Sequence, residues 1–134
     1  MAVVLDSDAV VGFLDRDDAL HTAADAAIRD VIGEHRILVS AVTYAEVLTG
    51  ARLGHHDEVV VGGFFAELTS AIVPVDVAVA DRAAELRSQF KSLRMPDALI
   101  LASADTETSV QLLVTGDQQM AKVSGLSCAI RLLG

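Results

Sequence analysis

The sequence predicts an α/β fold, with a mainly parallel sheet of four to five strands flanked by helices. Short apolar runs rich in β-branched residues alternate with longer segments of helical composition, as in proteins whose parallel strands are joined by helices. No internal repeat, low-complexity tract or linker-like segment divides the 134 residues. Hydrophobic residues make up 52% of the chain, which is ample for one core. We therefore expect a single domain that covers residues 1–134.

Five short apolar segments are predicted to form the strands. The first, Ala2–Leu5, has the sequence AVVL and is followed by Asp6, which is typical of a strand buried on both faces. The other segments share its length and apolar character: Ile37–Val39, Ala71–Val75, Val110–Val114 and a last strand near Ser127–Ile130.

Seven further segments are predicted to be helical. Ser40 is placed to cap the third, and Pro96 opens the sixth, where its missing N–H is not needed. The fourth is less regular, because Val59–Phe65 favours a strand and Gly62 and Gly63 interrupt it. The predicted helices are Asp8–Leu14, Ala19–Val31, Val42–Leu53, Asp57–Ser70, Val77–Phe90, Asp97–Ala104 and Gln118–Lys122.

The composition excludes several classes of protein. A net charge of −9 argues against a nucleic-acid binder that relies on a broad basic face, but it suits a carboxylate cluster and a basic protein partner. The single cysteine, Cys128, permits no intrachain disulfide and is expected to be a small core residue of the last strand. No apolar run is long enough to span a membrane, and the start, MAVVLDSD, lacks the basic segment of a signal peptide. We therefore expect a cytoplasmic protein.

Two acidic residues come directly after predicted strands. Asp6 follows VVL, and Asp117 follows LLVTG. The carboxyl ends of parallel strands meet at one edge of a sheet, where α/β proteins bind ligands, so both carboxylates are candidates for one site. Each could instead simply cap the helix that follows it.

Two further acids lie near the start of predicted helices. Asp97 opens the segment DALILASA, in which every residue except Asp97 and Ser103 is apolar, so this helix should be buried. A buried carboxylate needs a cation or several hydrogen-bond donors. Glu46 lies one turn into its helix, at the border of the apolar face, and is either a ligand or an ordinary boundary residue.

Together, these four acids form a candidate site for Mg²⁺ or Mn²⁺. Hard divalent cations prefer oxygen ligands, and the sequence has no cluster of His or Cys that would favour zinc. A bound cation would relieve the repulsion among the carboxylates, polarise a phosphodiester and activate a water molecule. The candidate ligands are Asp6, Glu46, Asp97 and Asp117.

Four further polar residues are considered, some as supporting groups of the site and some as residues outside it. Ser7 and Thr115 are candidate hydroxyl groups behind the acids. Asp8 is expected to be the N-cap of the first helix, with a supporting role in the site as the alternative. Asp105 ends its helix, far from the strand ends, and is expected to be exposed to solvent.

Four segments resemble, in order and spacing, the acidic motifs of PIN-domain nucleases of the VapC group: VVLDSDAVVGFLD, SAVTYAEVLTGA, MPDALILASA and LLVTGDQQM. The resemblance implies a PIN-like domain, with a parallel sheet between helices, Mg²⁺ or Mn²⁺ at the acid cluster, and hydrolysis of RNA. It also implies a homodimer that is neutralised by a cognate VapB-type antitoxin, within a type II toxin–antitoxin pair.

The residues of the resemblance span Val3 to Met120. The family's acidic positions and its frequent hydroxyl position before the last acid correspond here to Asp6, Glu46, Asp97, Asp117 and Thr115. One departure is Asp8, because the family commonly has a small or hydroxyl residue at that position.

The densest basic stretch precedes Asp97. If the helix that starts at Val77 continued through it, Arg87, Lys91 and Arg94 would line one face and could contact RNA phosphates. Arg52 is a weaker candidate for such a contact, and a solvated helix face is the alternative for the whole stretch. Aromatic residues that stack on bases are scarce, so we expect recognition of backbone shape or of a structured loop.

Alternative functions remain at this stage. A phosphatase of the haloacid-dehalogenase type would use Asp6 as nucleophile and Asp8 as acid–base, but the second acid that it needs after Asp117 is replaced by glutamine. A receiver-type signalling domain would need a phosphoacceptor and a lysine, for which Asp57 and Lys122 are poorly placed. A degenerate PIN domain that only binds partners is the third alternative.

Overall fold

In the computed structural model, which describes all residues from Met1 to Gly134, five strands form one fully parallel sheet. Their order across the sheet is β3-β2-β1-β4-β5. The chain therefore builds outward from the central β1 to β3, then crosses back to place β4 on the other side of β1. The strands are β1 Ala2–Leu5, β2 Arg36–Ser40, β3 Ala71–Val73, β4 Val110–Thr115 and β5 Ala129–Leu132.

Seven α-helices connect and follow the strands, and their order confirms the predicted alternation. They are α1 Ser7–Leu14, α2 His21–Val31, α3 Ala41–Arg52, α4 Glu58–Gly63, α5 Val77–Gln89, α6 Met95–Thr106 and α7 Gln118–Ala121. A single π turn, Phe64–Leu68, continues α4, so the β-prone stretch after Asp57 is helical as predicted. None of these helices combines the length and the apolar character that a membrane crossing would require.

The sheet is covered on both faces, which explains why β1 is apolar at every position. Ala2 and Val4 pack into one core with α5 and α6, whereas Val3 and Leu5 pack into the other with α1, α2 and α3. Successive side chains of a strand point to opposite faces, so a strand between two layers of helices has no solvent-facing position. Polar chemistry is consequently confined to the ends of the strands.

Two predictions about single residues at the far end of the sheet are corrected by the structure. Cys128 lies in the bend before β5 rather than in the strand, half-buried against the core, and burial raises the pKa of its thiol. Asp105 is not exposed: only 14% of its side chain is accessible to solvent.

Asp105 joins three parts of the fold. Its carboxylate accepts hydrogen bonds from Arg82 Nε of α5 and from the backbone N–H of Ser127, each over 2.6 Å. Arg82 also donates to the carbonyl of Gly125, at 3.1 Å. These donors hold the pKa of Asp105 below its usual value although burial raises it. The ion pair therefore fastens the loop before β5 to α5 and α6, a contact between residues distant in sequence.

We expect Asp105→Asn to lower the free energy of unfolding by about 1–3 kcal/mol, because it removes a charge that two donors stabilise in a half-buried setting. The lowered pKa means that this contribution is present above about pH 4 and is lost as the pH falls through the folded-state pKa. Urea unfolding at pH 7 and pH 3 measures both effects. Asp25→Asn, which breaks an exposed ion pair with Arg29, is the matched control and should cost less than about 0.5 kcal/mol. Equal losses for both variants would contradict a structural role for Asp105.

Candidate metal centre

The candidate site lies where the order of strands reverses, at the carboxyl ends of β1 and β4. Leu5 is paired with Val114 at the end of the ladder, and the N–H of Asp6 donates to the carbonyl of Val114 over 2.9 Å. Asp6 therefore follows β1 and Asp117 follows β4 at the same edge, as the sequence predicts. Such a reversal leaves a crevice in which open α/β sheets bind their ligands.

Asp6 is fixed by neighbouring donors and is nearly inaccessible, with 5% of the residue exposed. Its Oδ2 accepts from the hydroxyl of Thr115 and its Oδ1 from the backbone N–H of Ser7, each at 2.7 Å. Thr115 Oγ in turn accepts from the N–H of Asp117 at 3.0 Å. Thr115 therefore links the first and last acids of the cluster, in the supporting position predicted for its hydroxyl group.

Asp6 and Asp117 also cap the helices that follow them. Asp6 is the N-cap of α1, and the carboxylate of Asp117 accepts from Gln119 N at 2.7 Å and Met120 N at 3.3 Å. The capping role and a place in the cluster are thus compatible, since each carboxylate has further lone pairs that face the sheet edge.

Glu46 reaches the cluster from α3. The hydroxyl of Ser7 donates to Glu46 Oε1 over 2.6 Å, which connects residues from α1 and α3. Glu46 is otherwise exposed, so its side chain has more freedom than that of Asp6. Ser7 is therefore a bridge between the two acids, because its backbone contacts Asp6 and its side chain contacts Glu46.

Asp97 enters from the first turn of α6, whose interior is buried as predicted. Only 11% of the Asp97 side chain is exposed, and its Oδ2 lies 3.3 Å from Arg94 Nε. Burial raises the pKa of Asp97, the charge of Arg94 lowers it, and the charges of Asp117 and Glu46 raise it again. Asp117 and Glu46 therefore both lie within electrostatic range of Asp97.

The most strongly perturbed group of the cluster is Asp6. Burial, followed by the charge of Asp8, raises the pKa of Asp6 to about 8, although the hydrogen bonds from Thr115 and Ser7 oppose the change. Without a cation, this edge of the sheet therefore favours a protonated Asp6 near neutral pH. A divalent cation would reverse that preference, because it favours the ionised form of each carboxylate around it.

The sequence predicts Asp8 as the N-cap of α1. This prediction is wrong, because Asp6 occupies the N-cap position. Both oxygens of the Asp8 carboxylate lie 3.1 Å from the backbone N–H of Gly116. A Cβ at Gly116 would meet Leu20 and would lie 2.8 Å from Asp8 Oδ2. Gly116 therefore lets Asp8 approach the loop between Thr115 and Asp117, so that Asp8 braces the loop that carries the last acid.

The donor set fits a hard divalent cation better than any other group. All the acids offer carboxylate oxygens, which Mg²⁺ and Mn²⁺ prefer, and the two most buried of them have raised pKa values that a cation would restore. No three His, Cys, Asp or Glu side chains converge closely enough to enclose an ion as they stand. To enclose a cation, the less restrained side chain of Glu46 would have to move toward the fixed carboxylate of Asp6.

The basic residues before Asp97 do not form the predicted stripe. Helix α5 ends at Gln89, so Arg87, Lys91 and Arg94 do not share one helical face. Arg87 Nε donates to the carbonyl of Leu93 at 2.9 Å and thereby fastens the connecting loop. Lys91 is exposed in that loop. Arg94 is the only one of the three that contacts an acid of the cluster.

Arg52 does not contact the cluster either. It ends α3, and its Nε lies 3.7 Å from Glu58 Oε1 in an exposed ion pair. Because Glu58 belongs to α4, this pair ties two consecutive helices together at the surface.

Three buried hydroxyl residues lie on or beside α3 and α6, and only one of them, the N-cap Ser40, was given a role from the sequence. Ser40 caps α3, and Ser103 of α6 donates to it over 3.3 Å. Thr43, one turn before Glu46, is fully buried and its hydroxyl has no hydrogen-bond partner. The segment SAVTY shows from its sequence that hydroxyl groups occur at the start of α3. Only the packing of α3 on α6 shows which of these hydroxyl groups are buried.

The acid cluster lies outside the cavity of this protein. That cavity, of about 330 Å³, is lined by the end of α1 and by the loop into α4, including Asp15, His55 and Val61. The acids lie instead at the β1/β4 edge of the sheet, where Asp6 and Asp97 are nearly buried, Asp117 is partly exposed and Glu46 is exposed. A site outside an enclosing cavity suits a long substrate that crosses the surface better than a small molecule that must be enclosed.

In the metal-free protein, we expect Asp6→Asn to raise the melting temperature, and to raise it more at pH 8 than at pH 5. The folded pKa of Asp6 is raised, so the native state holds a proton that the unfolded chain releases, and stability falls as the pH rises from about 4 to about 8. Asparagine removes this dependence and is an equally good N-cap. Thermal unfolding in chelator measures the effect, with Asp25→Asn as control. An equal gain at both pH values would contradict the raised pKa.

Comparison with known proteins identifies the family. The family model described as PIN domain matches residues 3–126. Among curated proteins, none shows significant sequence similarity to this chain.

Several solved structures share the fold. The VapBC2 complex of Rickettsia felis, bound to a DNA fragment from its promoter, contains a chain with a TM-score of 0.78 and 16% identity, covering 100% of both chains. VapC20 of Mycobacterium tuberculosis, described as a sarcin–ricin loop cleaving toxin, gives a TM-score of 0.65 at 15% identity, covering 84% of this chain and 87% of that one. A VapBC-5 chain of the same organism is 25% identical, with a TM-score of 0.59 and 98% of both chains covered.

The family match covers four of the five strands, from Val3 of β1 to β4, and every acid of the cluster, and the structural neighbours share the arrangement of the domain. The resemblance of the four acidic segments is thus confirmed at the level of the family. This chain belongs to the PIN-domain family.

Proposed function

We propose that this chain is a Mg²⁺- or Mn²⁺-dependent endoribonuclease that hydrolyses RNA phosphodiester bonds at the carboxylate cluster. The observation that carries the proposal is the meeting of Asp6, Glu46, Asp97 and Asp117 at the β1/β4 edge of a PIN domain. PIN-domain chains of the VapC type, including one described as cleaving the sarcin–ricin loop, share this fold.

When bound, the cation supplies a Lewis acid that polarises the phosphodiester and lowers the pKa of a water molecule. The residues of the chain hold the carboxylates of the cluster in position. Thr115 and Ser7 hold both oxygens of Asp6, so its orientation is set before a cation arrives. Asp97 is fixed on the buried helix α6, and Asp117 on the loop that Asp8 braces.

Glu46 is the member of the cluster that is free to move. It is exposed and is held only by the hydroxyl of Ser7. Its Oε1 accepts a hydrogen bond from the hydroxyl of Ser7, so the same oxygen can accept one from a water molecule that replaces this contact. We therefore assign to Glu46 the orientation of the attacking water, in addition to its role as a ligand.

The open position of the cluster supports a polymeric substrate. With a net charge of −9, the protein has no broad basic surface, so contact with RNA depends on the cation and on a few local basic residues. Arg94 is adjacent to the cluster, and Arg87 and Lys91 lie in or beside the loop that precedes it. Arg52 is farther removed and is the weakest candidate for a phosphate contact.

Neither alternative enzyme or signalling function has an observation in its favour. The receiver fold has strand order 2-1-3-4-5, whereas the order here is 3-2-1-4-5. A phosphatase of the haloacid-dehalogenase type would need Asp8 free for proton transfer, but both of its oxygens face the N–H of Gly116.

The same proposal assigns the biological setting. Chains of this fold occur in VapBC and FitAB complexes, some of them with DNA. We infer that this chain is the toxin of a type II toxin–antitoxin pair, with a VapB-type antitoxin as partner, a homodimer as its assembly and the cytoplasm as its location. Exposed apolar residues such as Val59, Val60 and Leu53 provide surface for such assembly.

We expect Asp6→Asn, Asp97→Asn and Asp117→Asn each to reduce RNA cleavage by at least about a hundredfold, because each removes a charged ligand. The assay uses a pool of structured RNAs and the purified chain freed of antitoxin, with Mn²⁺, with Mg²⁺ and with chelator. Asp25→Asn, which changes a partly exposed acid on α2, is the charge-matched control and should retain full activity.

Two results would contradict the proposal. Cleavage that persists in chelator, or that survives in Asp97→Asn, would exclude the cluster as the active site. A small phosphomonoester is included as a second substrate, and its hydrolysis without RNA cleavage would favour the phosphatase function.

A further inference from the structure

Arg94 has a position that the proposed nuclease function does not explain by itself. Of the six ion pairs in the structure, only Arg94–Asp97 involves an acid of the cluster. Arg94 Nε lies 3.3 Å from Asp97 Oδ2, so a cation of the chain itself occupies an oxygen that a divalent ion would use. Two cations cannot share that oxygen at close range, because their repulsion at a few ångströms is strong.

The two partners are held very differently. The Asp97 side chain is 11% exposed and sits on a helix whose interior is fully buried, whereas the Arg94 side chain is 72% exposed. The backbone of Arg94 is fixed, because its carbonyl accepts from Ala98 N at 2.9 Å as the N-cap of α6. Arg94 can therefore leave Asp97 by side-chain rotation alone, without any change in the fold.

The released guanidinium would remain at the mouth of the site. Its Cα stays three residues from Asp97 at the start of α6, and the planar group can bind two phosphate oxygens at once. In the metal-free protein, the same group is engaged with a carboxylate and is less available to a phosphate.

We propose that Arg94 acts as an internal counter-ion of Asp97 that a divalent cation displaces, and that its guanidinium then binds an RNA phosphate at the site. This replacement of Arg94 by the cation, called the exchange below, rests on the proposed metal-dependent function. It implies that the cation binds first and thereby releases the arginine for the substrate. Arg94 contacts the substrate in this scheme, and its loss affects cation binding and phosphate binding in opposite directions.

The first test is the affinity of the metal-stripped full chain for Mn²⁺, measured by titration calorimetry. Arg94→Gln removes the competing cation and should tighten Mn²⁺ binding by about two- to fivefold, the range expected for an exposed ion pair. Arg94→Lys keeps a cation on the same backbone position and should stay closer to the wild type. Arg29→Gln removes the same charge from an exposed pair on α2 and should leave the affinity unchanged.

The second test observes the exchange directly. In ¹⁵N NMR spectra of the wild type, the Nε–H signal of Arg94, assigned by its absence in Arg94→Gln, should shift as Mg²⁺ is added and saturate with Mg²⁺ binding. The Arg29 signal should not move. Inorganic phosphate added afterwards should shift the Arg94 signal further, and it should do so much less in the metal-free protein.

The outcomes separate this exchange from the proposed function. The exchange is overturned if Arg94→Gln binds Mn²⁺ as tightly as the wild type or more weakly. It is also overturned if the Arg94 NMR signal does not shift when Mg²⁺ is added. In either case the ribonuclease proposal is still tested separately by its cleavage assay. A phosphate response that is equal with and without Mg²⁺ overturns the order of events. If the wild type binds no Mn²⁺, both the proposed metal centre and the exchange are excluded.

Discussion

Repulsion among carboxylates at one edge of the sheet is the constraint on which the rest of this structure depends. Asp6 and Asp117 are brought together by the pairing of β1 with β4, and Asp97 and Glu46 approach from α6 and α3. The fold holds them there largely with neutral donors, the hydroxyls of Thr115 and Ser7 and the N–H groups of two helix starts. Such donors orient a carboxylate without cancelling its charge, so they leave the cluster suited to the cation that we propose.

The two-faced burial of the sheet explains why this charge lies where it does. Every position of β1 packs into one of two hydrophobic cores, so polar groups can be placed only beyond its end. The same layers pack closely around the backbone that carries the acids. Packed supports at an edge outside the enclosed cavity would suit the proposed cleavage of a long, structured substrate, and the separate cavity beside α4 plays no part in that geometry.

The net charge of −9 and the proposed binding of RNA are compatible at the level of single residues. A broad acidic surface repels a polyanion, but a cation within the cluster reverses the local field over a few ångströms, which is shorter than the Debye length in physiological salt. Arg94, at the rim, is the basic residue whose position is tied to that reversal. The remaining acidic surface matches a basic partner, as proposed for the antitoxin.

The sequence by itself determined the fold class, the first strand to the residue, the order of helices and strands, and the positions of Asp6 and Asp117 after strands and of Asp97 in the first turn of a helix. These follow from local patterns: apolar runs, periodicity and capping residues act over a few neighbouring positions. Only the tertiary structure decided that Asp8 braces Gly116, that Asp105 is paired with Arg82, and that α5 ends before Lys91. The first two are contacts between residues 23 or more positions apart, and the third depends on how the loop before α6 packs. No local pattern encodes them, because their energy arises when distant segments meet.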